Sequence, residues 1–156
     1  MVRELARCYQ AFESLSAAHV RFLGLTPAQF DIIATLGDTP GMNFRELGEK
    51  TLITKGTLTG VIHRLQARGL VSCERSLTDR RSHIVTLTAQ GEALFRQVFP
   101  AHLDYLRGAF ATMSVAELTQ TETTLRHLRA VLQGGRNVKG ATKTRRTPAR
   151  VPARLP

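Results

Sequence analysis

The segment from 54 to 88 constrains the fold more than any other part of the sequence, because its apolar residues change from helical to strand spacing. In its first half they lie at i, i+3, i+4 and i+7, at Leu58, Val61, Ile62 and Leu65. This spacing predicts a helix over 55–68 with one buried face. Residues 70–75 and 83–88 are rich in Val, Ile, Leu and Thr, and they flank the polar, basic segment 76–82. They predict a β-hairpin with a charged tip, which would project as a wing from a helical unit.

Helix-start signals divide the rest of the chain. Three capping boxes, each a Ser, Thr or Asn followed three positions later by Glu or Gln, begin at Thr26, Asn43 and Ser114. We predict helices over 3–23, from 27, over 44–50, over 89–112 and from 115. In the second of these, the expected buried residues are Phe30, Ile33, Ala34 and Gly37. The fold class is mainly α with a small β-hairpin wing (α+β), a winged helix-turn-helix with helices at both ends.

The first and last helices carry apolar residues at alternating spacings of 3 and 4, the pattern of helices that pack along one another. In the first helix these positions are Leu5, Cys8, Phe12, Leu15, His19 and Phe22. In the last helix they are Leu118, Thr121, Leu125, Leu128 and Leu132. A chain of this size gains little from two such stripes unless they bury each other or a second copy. We therefore expect a homodimer, and packing within one chain is the alternative.

Positive charge is concentrated in two parts of the chain, whose formal net charge is +10. The segment 45–86 has eight basic and four acidic residues, and 134–156 has seven basic residues and no acidic one. Such local excesses indicate contact with a polyanion. The repeated Arg, Thr, Pro and Ala after position 134 predict a disordered basic tail.

The sequence also argues against several classes of protein. No apolar run approaches the roughly 18 residues needed to cross a bilayer, so no membrane partner is expected. The start at Met1 lacks the basic and apolar regions of a signal peptide. Two cysteines are too few for a disulfide framework, and no two of the five histidines lie at i, i+4. We expect a cytoplasmic protein without cofactor or metal. Phosphate-binding Gly-rich loops and the GxSxG and HExxH motifs are missing, so we expect no enzyme activity.

The start and outward face of the predicted helix 55–68 suit the major groove of DNA. They carry small hydroxyl side chains and cations: Thr54, Lys55, Thr57, Thr59, His63 and Arg64. Hydroxyl groups permit close approach to a duplex, and cations pair with phosphate or guanine. The alternative is an ordinary solvated helix face.

The hairpin tip has a second DNA-binding pattern, in which Asp79 is followed by Arg80 and Arg81. A carboxylate beside a guanidinium can fix its direction, and an arginine so aimed suits the narrow, electronegative minor groove. The alternative is a turn-forming Asp beside solubilising arginines.

Together these motifs resemble those of the MarR (multiple antibiotic resistance regulator) family. The similar stretches are Leu25–Phe30, Leu47–Thr54, the positions Leu58, Val61, Arg64 and Leu65, then Gly69–Val71, Asp79–Arg81 and Leu87–Gly91. The resemblance implies a homodimeric winged helix-turn-helix transcription regulator whose end helices interlock. It implies that helix 55–68 reads the major groove of double-stranded DNA. It also implies that Arg81, supported by Asp79, enters the minor groove.

The resemblance further implies a division of labour along the chain. Residues 1–24 and 89–133 form a helical dimerisation region, 25–88 form the DNA-binding lobe, and 134–156 remain as the tail. The resemblance leads us to expect a ligand-responsive repressor. As a homodimer it would bind a palindromic operator, because two recognition helices about one helical turn apart would read its two halves. The alternatives are a redox-responsive regulator that uses Cys8 and a basic architectural DNA-binding protein.

Small aromatic or phenolic ligands commonly bind between the dimerisation helices and the DNA lobe in this family. The resemblance therefore directs attention to the apolar and histidine residues of the two long helices, Phe12, His19, Phe99 and His102. The alternative for the two histidines is a hydrogen-bonded position in an interface. Cys8 and Cys73 are interpreted as buried structural thiols.

Overall fold

The computed structural model describes residues 1–51, 53–75 and 82–138. Its elements, in chain order, are α1 (Val2–Phe22), α2 (Pro27–Leu36), β1 (Met42–Asn43), α3 (Phe44–Lys50), α4 (Lys55–Ala67), β2 (Val71–Arg75), β3 (His83–Leu87), α5 (Ala89–Ala109) and α6 (Val115–Val138). This architecture confirms the predicted mainly α fold with a small β wing. None of the described helices is long and apolar enough to span a membrane.

Two compact units divide the chain. The unit Met1–Phe110 contains α1 to α5 and the sheet, and the second unit begins at Ala111 and contains α6. The predicted grouping into 1–24 with 89–133, a lobe at 25–88 and a tail from 134 stays a prediction. Residues 139–156 of that tail lie outside the described residues.

The predicted helix starts are built as the capping residues indicate. The Thr26 hydroxyl accepts a hydrogen bond from the Gln29 backbone N–H at 3.2 Å, and the Gln29 side chain accepts one from the Thr26 N–H at 3.0 Å. Asn43 and Glu46 close an equivalent box at α3. At α6, hydrogen bonds donated by the Ser114 backbone and hydroxyl lower the pKa of the Glu117 carboxyl. These caps satisfy backbone N–H groups that have no partner within the helix.

The core of the first unit forms around α2 and α4. The four predicted α4 residues are all buried: Leu58, Val61, Ile62 and Leu65. In α2 the buried residues are Gln29, Ile32, Ile33 and Leu36, so the prediction is confirmed for Ile33, whereas Phe30, Ala34 and Gly37 are only half-buried. The reason is that α2 packs against α1, α4, α5 and β3, which cover a wider arc than a single stripe.

The sheet contains a strand that the sequence did not indicate. Its order is β1-β3-β2 with antiparallel pairing, so the β2–β3 hairpin is confirmed and β1 adds a third strand along β3. Two residues are too few to show alternation. Gly41, at φ +100°, allows the chain to lie this close to β3, because a Cβ at position 41 would lie 2.4 Å from Thr86 Cγ2.

The end helices carry apolar side chains that the single chain leaves exposed. In the described part of α1 only Val20 is buried, while Phe22 is 85% exposed. In α6 the exposed apolar residues include Leu118, Leu125, Val131 and Leu132. α6 also continues through Gly134 to Val138, because a helical glycine costs only about 1 kcal/mol relative to alanine and does not force an end.

Candidate DNA-binding face and ligand cavity

The outward face of α4 carries the residues predicted to contact DNA. Thr57, Thr59, His63 and Arg64 are exposed, and the buried apolar residues of α4 hold its opposite face against the core. Lys55 begins the helix, but its side chain lies outside the described residues. A helix with one anchored face and one polar, cationic face can enter a major groove.

The start of α4 lacks the side-chain cap that a threonine at the N-cap position can provide. Thr54 occupies the N-cap position, yet its hydroxyl makes no cap hydrogen bond. It lies 3.0 Å from the Thr57 hydroxyl instead. The two hydroxyls therefore form a pair at the beginning of the helix.

The wing strands lead toward the predicted minor-groove residues. β2 and β3 pair from Val71 opposite Leu87 to Arg75 opposite His83. Asp79, Arg80 and Arg81 lie in the segment 76–81, outside the described residues, and their predicted role stays a prediction.

A cavity of about 510 Å³ lies within the first unit, between α1, α2, α5 and the start of α4. Its wall is mostly apolar and consists of Tyr9, Phe12, Glu13, Ser16, Ala17, Val20, Pro27, Ala28, Phe30, Asp31, Ile53, Thr54, Thr57, Phe99, His102 and Leu103. This size and this lining suit a small aromatic molecule. The structure brings together three of the four predicted ligand residues, Phe12, Phe99 and His102.

His102 is the most buried polar side chain of this wall, with 4% of its surface exposed. Its Nε2 atom lies 3.1 Å from the Ser16 hydroxyl, and its Nδ1 atom lies 3.0 Å from Nδ1 of His19. Phe30 packs edge-on against the ring, with centroids 4.7 Å apart. Burial, and secondarily the proximity of His19, lowers the pKa of His102, so the ring is neutral near pH 7.

His19 does not line the cavity, which differs from the role expected for it. It lies behind His102 and stacks on Tyr105, with ring centroids 4.1 Å apart and planes 8° from parallel. Tyr105 is 39% exposed. A continuous chain of contacts therefore runs from the surface at Tyr105 through His19 and His102 to Ser16 on the cavity wall.

Sequence reasoning missed several wall residues that a helical pattern could have revealed. Tyr9, Glu13, Ser16 and Val20 lie on α1 at spacings of 4, 3 and 4. They therefore share a face with Phe12. Because Glu13 and Ser16 are polar, this row of residues did not stand out beside the apolar row that begins at Leu5.

Neither cysteine is buried in the described chain. Cys8 is exposed, so its interpretation as a buried thiol was wrong, and Cys73 is half-buried. Burial raises the pKa of the Cys73 thiol. No group of three or more His, Cys, Asp or Glu side chains that could hold a metal occurs in the part of the chain that the structure describes.

Comparisons with known proteins agree with this geometry. The sequence profile of the MarR family matches residues 23–82. The chain is 28% identical to the HTH-type transcriptional regulator MhqR of Bacillus subtilis, over 73% of this chain and 79% of that protein. It is 32% identical to the homoprotocatechuate degradative operon repressor of Escherichia coli, over 61% of this chain and 60% of that protein.

Among solved structures, the fold is similar to that of BpsR from Bordetella bronchiseptica, whose DNA binding is regulated by 6-hydroxynicotinic acid. The two share a TM-score of 0.74 and 29% sequence identity, over 83% of this chain and 92% of that chain.

Proposed function

The chain belongs to the MarR family of transcription regulators, and we propose that it is a ligand-responsive, non-enzymatic repressor acting in the cytoplasm. In this proposal it binds a palindromic operator as a homodimer and releases it when a small aromatic effector occupies the cavity.

The exposed face of α4 supports DNA binding. Thr59, His63 and Arg64 reach solvent, and Gly56 and Gly60 add no side chain that would hold a duplex away from the helix. Together with the charge excess of residues 45–86, this face suits both base edges and phosphates. We assign Thr54, Lys55, Thr57, Thr59, His63 and Arg64 to the major groove, and Asp79, Arg80 and Arg81 to the minor groove.

The exposed apolar side chains of the end helices support a homodimer. Tyr9 and Phe22 in α1 and Leu125 and Leu132 in α6 are each more than half exposed. Exposed apolar surface on this scale marks an interaction site. A two-fold partner would bury it and place two copies of α4 on one operator.

One observation carries the effector part of the proposal: the cavity wall includes the start of the recognition helix. Ile53, Thr54 and Thr57 line the same space as Phe12 on α1 and Phe99 on α5. A ligand that fills this space contacts α4 directly. It can therefore favour one position of α4 over another through differential contacts.

Selection of binding sites from random DNA, followed by footprinting, tests the DNA-binding part. We expect a discrete palindromic footprint, with affinity that falls when 6-hydroxynicotinic acid or a related aromatic hydroxy acid is added. Uniform coverage without a preferred site would instead favour the basic architectural protein.

Two phenylalanine variants, one within α5 and one at its C-cap, test the cavity. Phe99 lines the wall, whereas Phe110 is exposed at the end of the helix. We expect Phe99→Ala to retain operator binding and lose effector-driven release, and Phe110→Ala to retain both. Equal release by both variants would place the effector elsewhere.

A second candidate function, a redox-responsive regulator, is favoured by the exposure of Cys8. Exposed thiols are accessible to oxidants. If this function holds, peroxide releases the wild type from the operator and does not release Cys8→Ser.

A further inference from the structure

The C-terminal end of α4 is hydrogen-bonded to the first turn of α2. Arg68 is the C-cap residue of α4, and its Nη1 atom donates to Gln29 Oε1 over 3.3 Å. Gln29 is buried, with 8% of its surface exposed, whereas Arg68 is exposed. A buried amide of α2 thus contacts an exposed cation at the end of the helix proposed to read DNA.

The capping box of α2 fixes the orientation of the Gln29 amide for this contact. The Thr26 backbone N–H can only donate, and it donates to the same Oε1 atom at 3.0 Å. The amide oxygen, rather than the amide nitrogen, must therefore lie at this position. A carbonyl oxygen has two lone pairs, so Oε1 can accept a second hydrogen bond. The Arg68 guanidinium, which has several donors and no acceptor, supplies that bond.

Apolar packing alone does not fix the angle between α4 and α2. The buried apolar residues of α4 hold it against the core, but the attraction between apolar surfaces is non-directional. A hydrogen bond is directional, and one with a charged donor is stronger than one between neutral groups. Because Arg68 lies at the end of α4, a displacement of this residue changes the angle of the whole helix.

Arg68 also lies at the junction between α4 and the wing. Gly69, at φ +69°, turns the chain, and β2 begins at Val71. The Gly69 carbonyl accepts a hydrogen bond from the Thr88 hydroxyl at 2.6 Å. A contact that fixes Arg68 therefore fixes the end of α4 and the approach to the wing together.

From this geometry we infer that Gln29 is a positioning residue for operator recognition, which acts through Arg68 although its own side chain is buried. The hydrogen bond between them sets the angle of α4, and with it the base edges that the polar face of α4 reaches. Base contacts carry sequence information, whereas phosphate contacts carry none. Loss of the bond should therefore lower the preference for the operator more than the affinity for DNA in general. The inference rests on the proposed function, since it concerns the same helix.

Binding of two DNA duplexes by the full chain tests this role. One duplex is the site that the wild type selects from random DNA, and the other has the same length and base composition in scrambled order. Gln29→Met keeps the length of the side chain but removes the acceptor, and it should lower the ratio of the two affinities about tenfold. Gln29→Glu keeps an acceptor oxygen, and its ratio should stay within about twofold of the wild-type ratio.

Thr26→Val is the matched control for the capping box. It removes the hydroxyl that accepts from the Gln29 backbone N–H and leaves Gln29 Oε1 with Arg68. It should therefore lose stability, as variants of a helix cap do, and keep the ratio of affinities. Circular dichroism checks that each variant is folded. An equal fall in the ratio for Thr26→Val and Gln29→Met, or for Gln29→Glu and Gln29→Met, would show that the capping box alone matters and would overturn the inference.

Arg68→Ala separates positioning from a phosphate contact. We expect it to lower the ratio as far as Gln29→Met does, and the double variant should be little worse than either single one. If Arg68 only binds phosphate, Arg68→Ala weakens binding of both duplexes equally. The slope of log affinity against log salt then falls by about one.

The outcomes distinguish this inference from the proposed function. An equal weakening of both duplexes by Arg68→Ala, with an unchanged ratio in Gln29→Met, overturns the inference and leaves the proposed function intact. If the wild type selects no site from random DNA, the operator-binding part of the proposed function fails, and the inference fails with it.

Discussion

His102 illustrates how a polar ring can lie inside an apolar wall without destabilising it. A buried polar group without a partner costs about 1–3 kcal/mol, but both nitrogens of this ring lie within hydrogen-bonding distance of a partner, Ser16 or His19. Ser16 and His19 also hold the His102 ring in one orientation among the aromatic and aliphatic side chains of the cavity wall. The ring is thus a packed residue that also presents polar atoms at the cavity wall.

The lowered pKa of His102 predicts how stability depends on pH. Its ordinary value is 6.5, and the folded chain binds the proton less readily than the unfolded chain. The contribution of neutral His102 to the free energy of unfolding is therefore fully present above that value. It is lost as pH falls from that value toward the lower pKa of the folded chain. Urea unfolding between pH of about 7.5 and about 5.5 should show a loss in the wild type that is smaller in His102→Gln. His63→Gln, on an exposed histidine, should lose as much stability as the wild type. An equal loss of stability in the wild type, His102→Gln and His63→Gln would show that groups other than His102 cause the pH dependence.

The wing offers a prediction whose sign is decisive. If Arg81 enters the minor groove and Asp79 aims it, Arg81→Ala should weaken operator binding by about 1–3 kcal/mol per subunit. Asp79→Ala should weaken it similarly, although it removes a negative charge. The double variant should be little worse than either single one.

Operator titrations of the wing variants at fixed salt decide between an aimed arginine and a simple basic loop. Glu74→Ala is the control, since it removes an exposed carboxylate at the end of β2. Tighter binding by both Asp79→Ala and Glu74→Ala would rule out the aimed arginine.

Among the elements, α5 connects the wing with the cavity. Its first turn begins at Thr88, whose hydroxyl accepts from the Gly91 backbone N–H at 3.1 Å and donates to the Gly69 carbonyl at 2.6 Å. Further along, Phe99 and His102 reach the cavity wall. One helix thus contacts the wing base at its start and lines the cavity further along.

Two glycines of α5 make opposite predictions. A Cβ at Gly91 would lie 2.0 Å from the Leu70 carbonyl oxygen, while a Cβ at Gly108 would meet nothing within 4 Å. Gly91→Ala should therefore destabilise the chain by about 1–3 kcal/mol, because the helix must move from the wing. Gly108→Ala should stabilise it by up to about 1 kcal/mol through helix propensity. Chemical unfolding measures both, and a stable Gly91→Ala would contradict the packing at the wing base.

At the scale of the whole molecule, the exposed apolar residues of α1 and α6 are the basis for expecting a dimer. α6 bears Leu125 and Leu132 with 52% and 57% of their surface exposed, which is unfavourable unless a partner covers them. In the proposed function, a second copy of the chain is that partner. The two-fold symmetry of such a dimer would then also account for a palindromic operator.

Charge on the α6 stripe should separate the two copies. Leu125→Glu would bury an unpaired carboxylate in the interface and weaken the dimer by about 3 kcal/mol or more. Thr124→Glu, on an adjacent exposed position, should leave it intact. Sedimentation at micromolar concentration measures the dimer, and circular dichroism checks that the helices persist. A folded wild-type monomer at that concentration would remove the premise.

The basic segment after α6 should add affinity without specificity. Deleting 139–156 removes six cations that can contact phosphates and release counterions. The plot of log affinity against log salt should become shallower, with an unchanged footprint. A changed footprint would show that this segment reads bases.

Local signals in the sequence were sufficient for the helices, for the β2–β3 hairpin and for the buried face of α4. The signals for the helices are the capping boxes, at Thr26, Asn43 and Ser114, and the apolar spacing of α4. Both kinds of signal depend on contacts between residues three or four positions apart, so they could be predicted from the sequence alone. The cavity wall could be predicted only in part, because Phe12 lies on α1 whereas Phe99 and His102 lie on α5, far away in the chain. β1, the wide burial of α2 and the place of His19 behind His102 all follow from packing between distant segments. No local spacing encodes such contacts, since the burial of each residue depends on which other elements surround it.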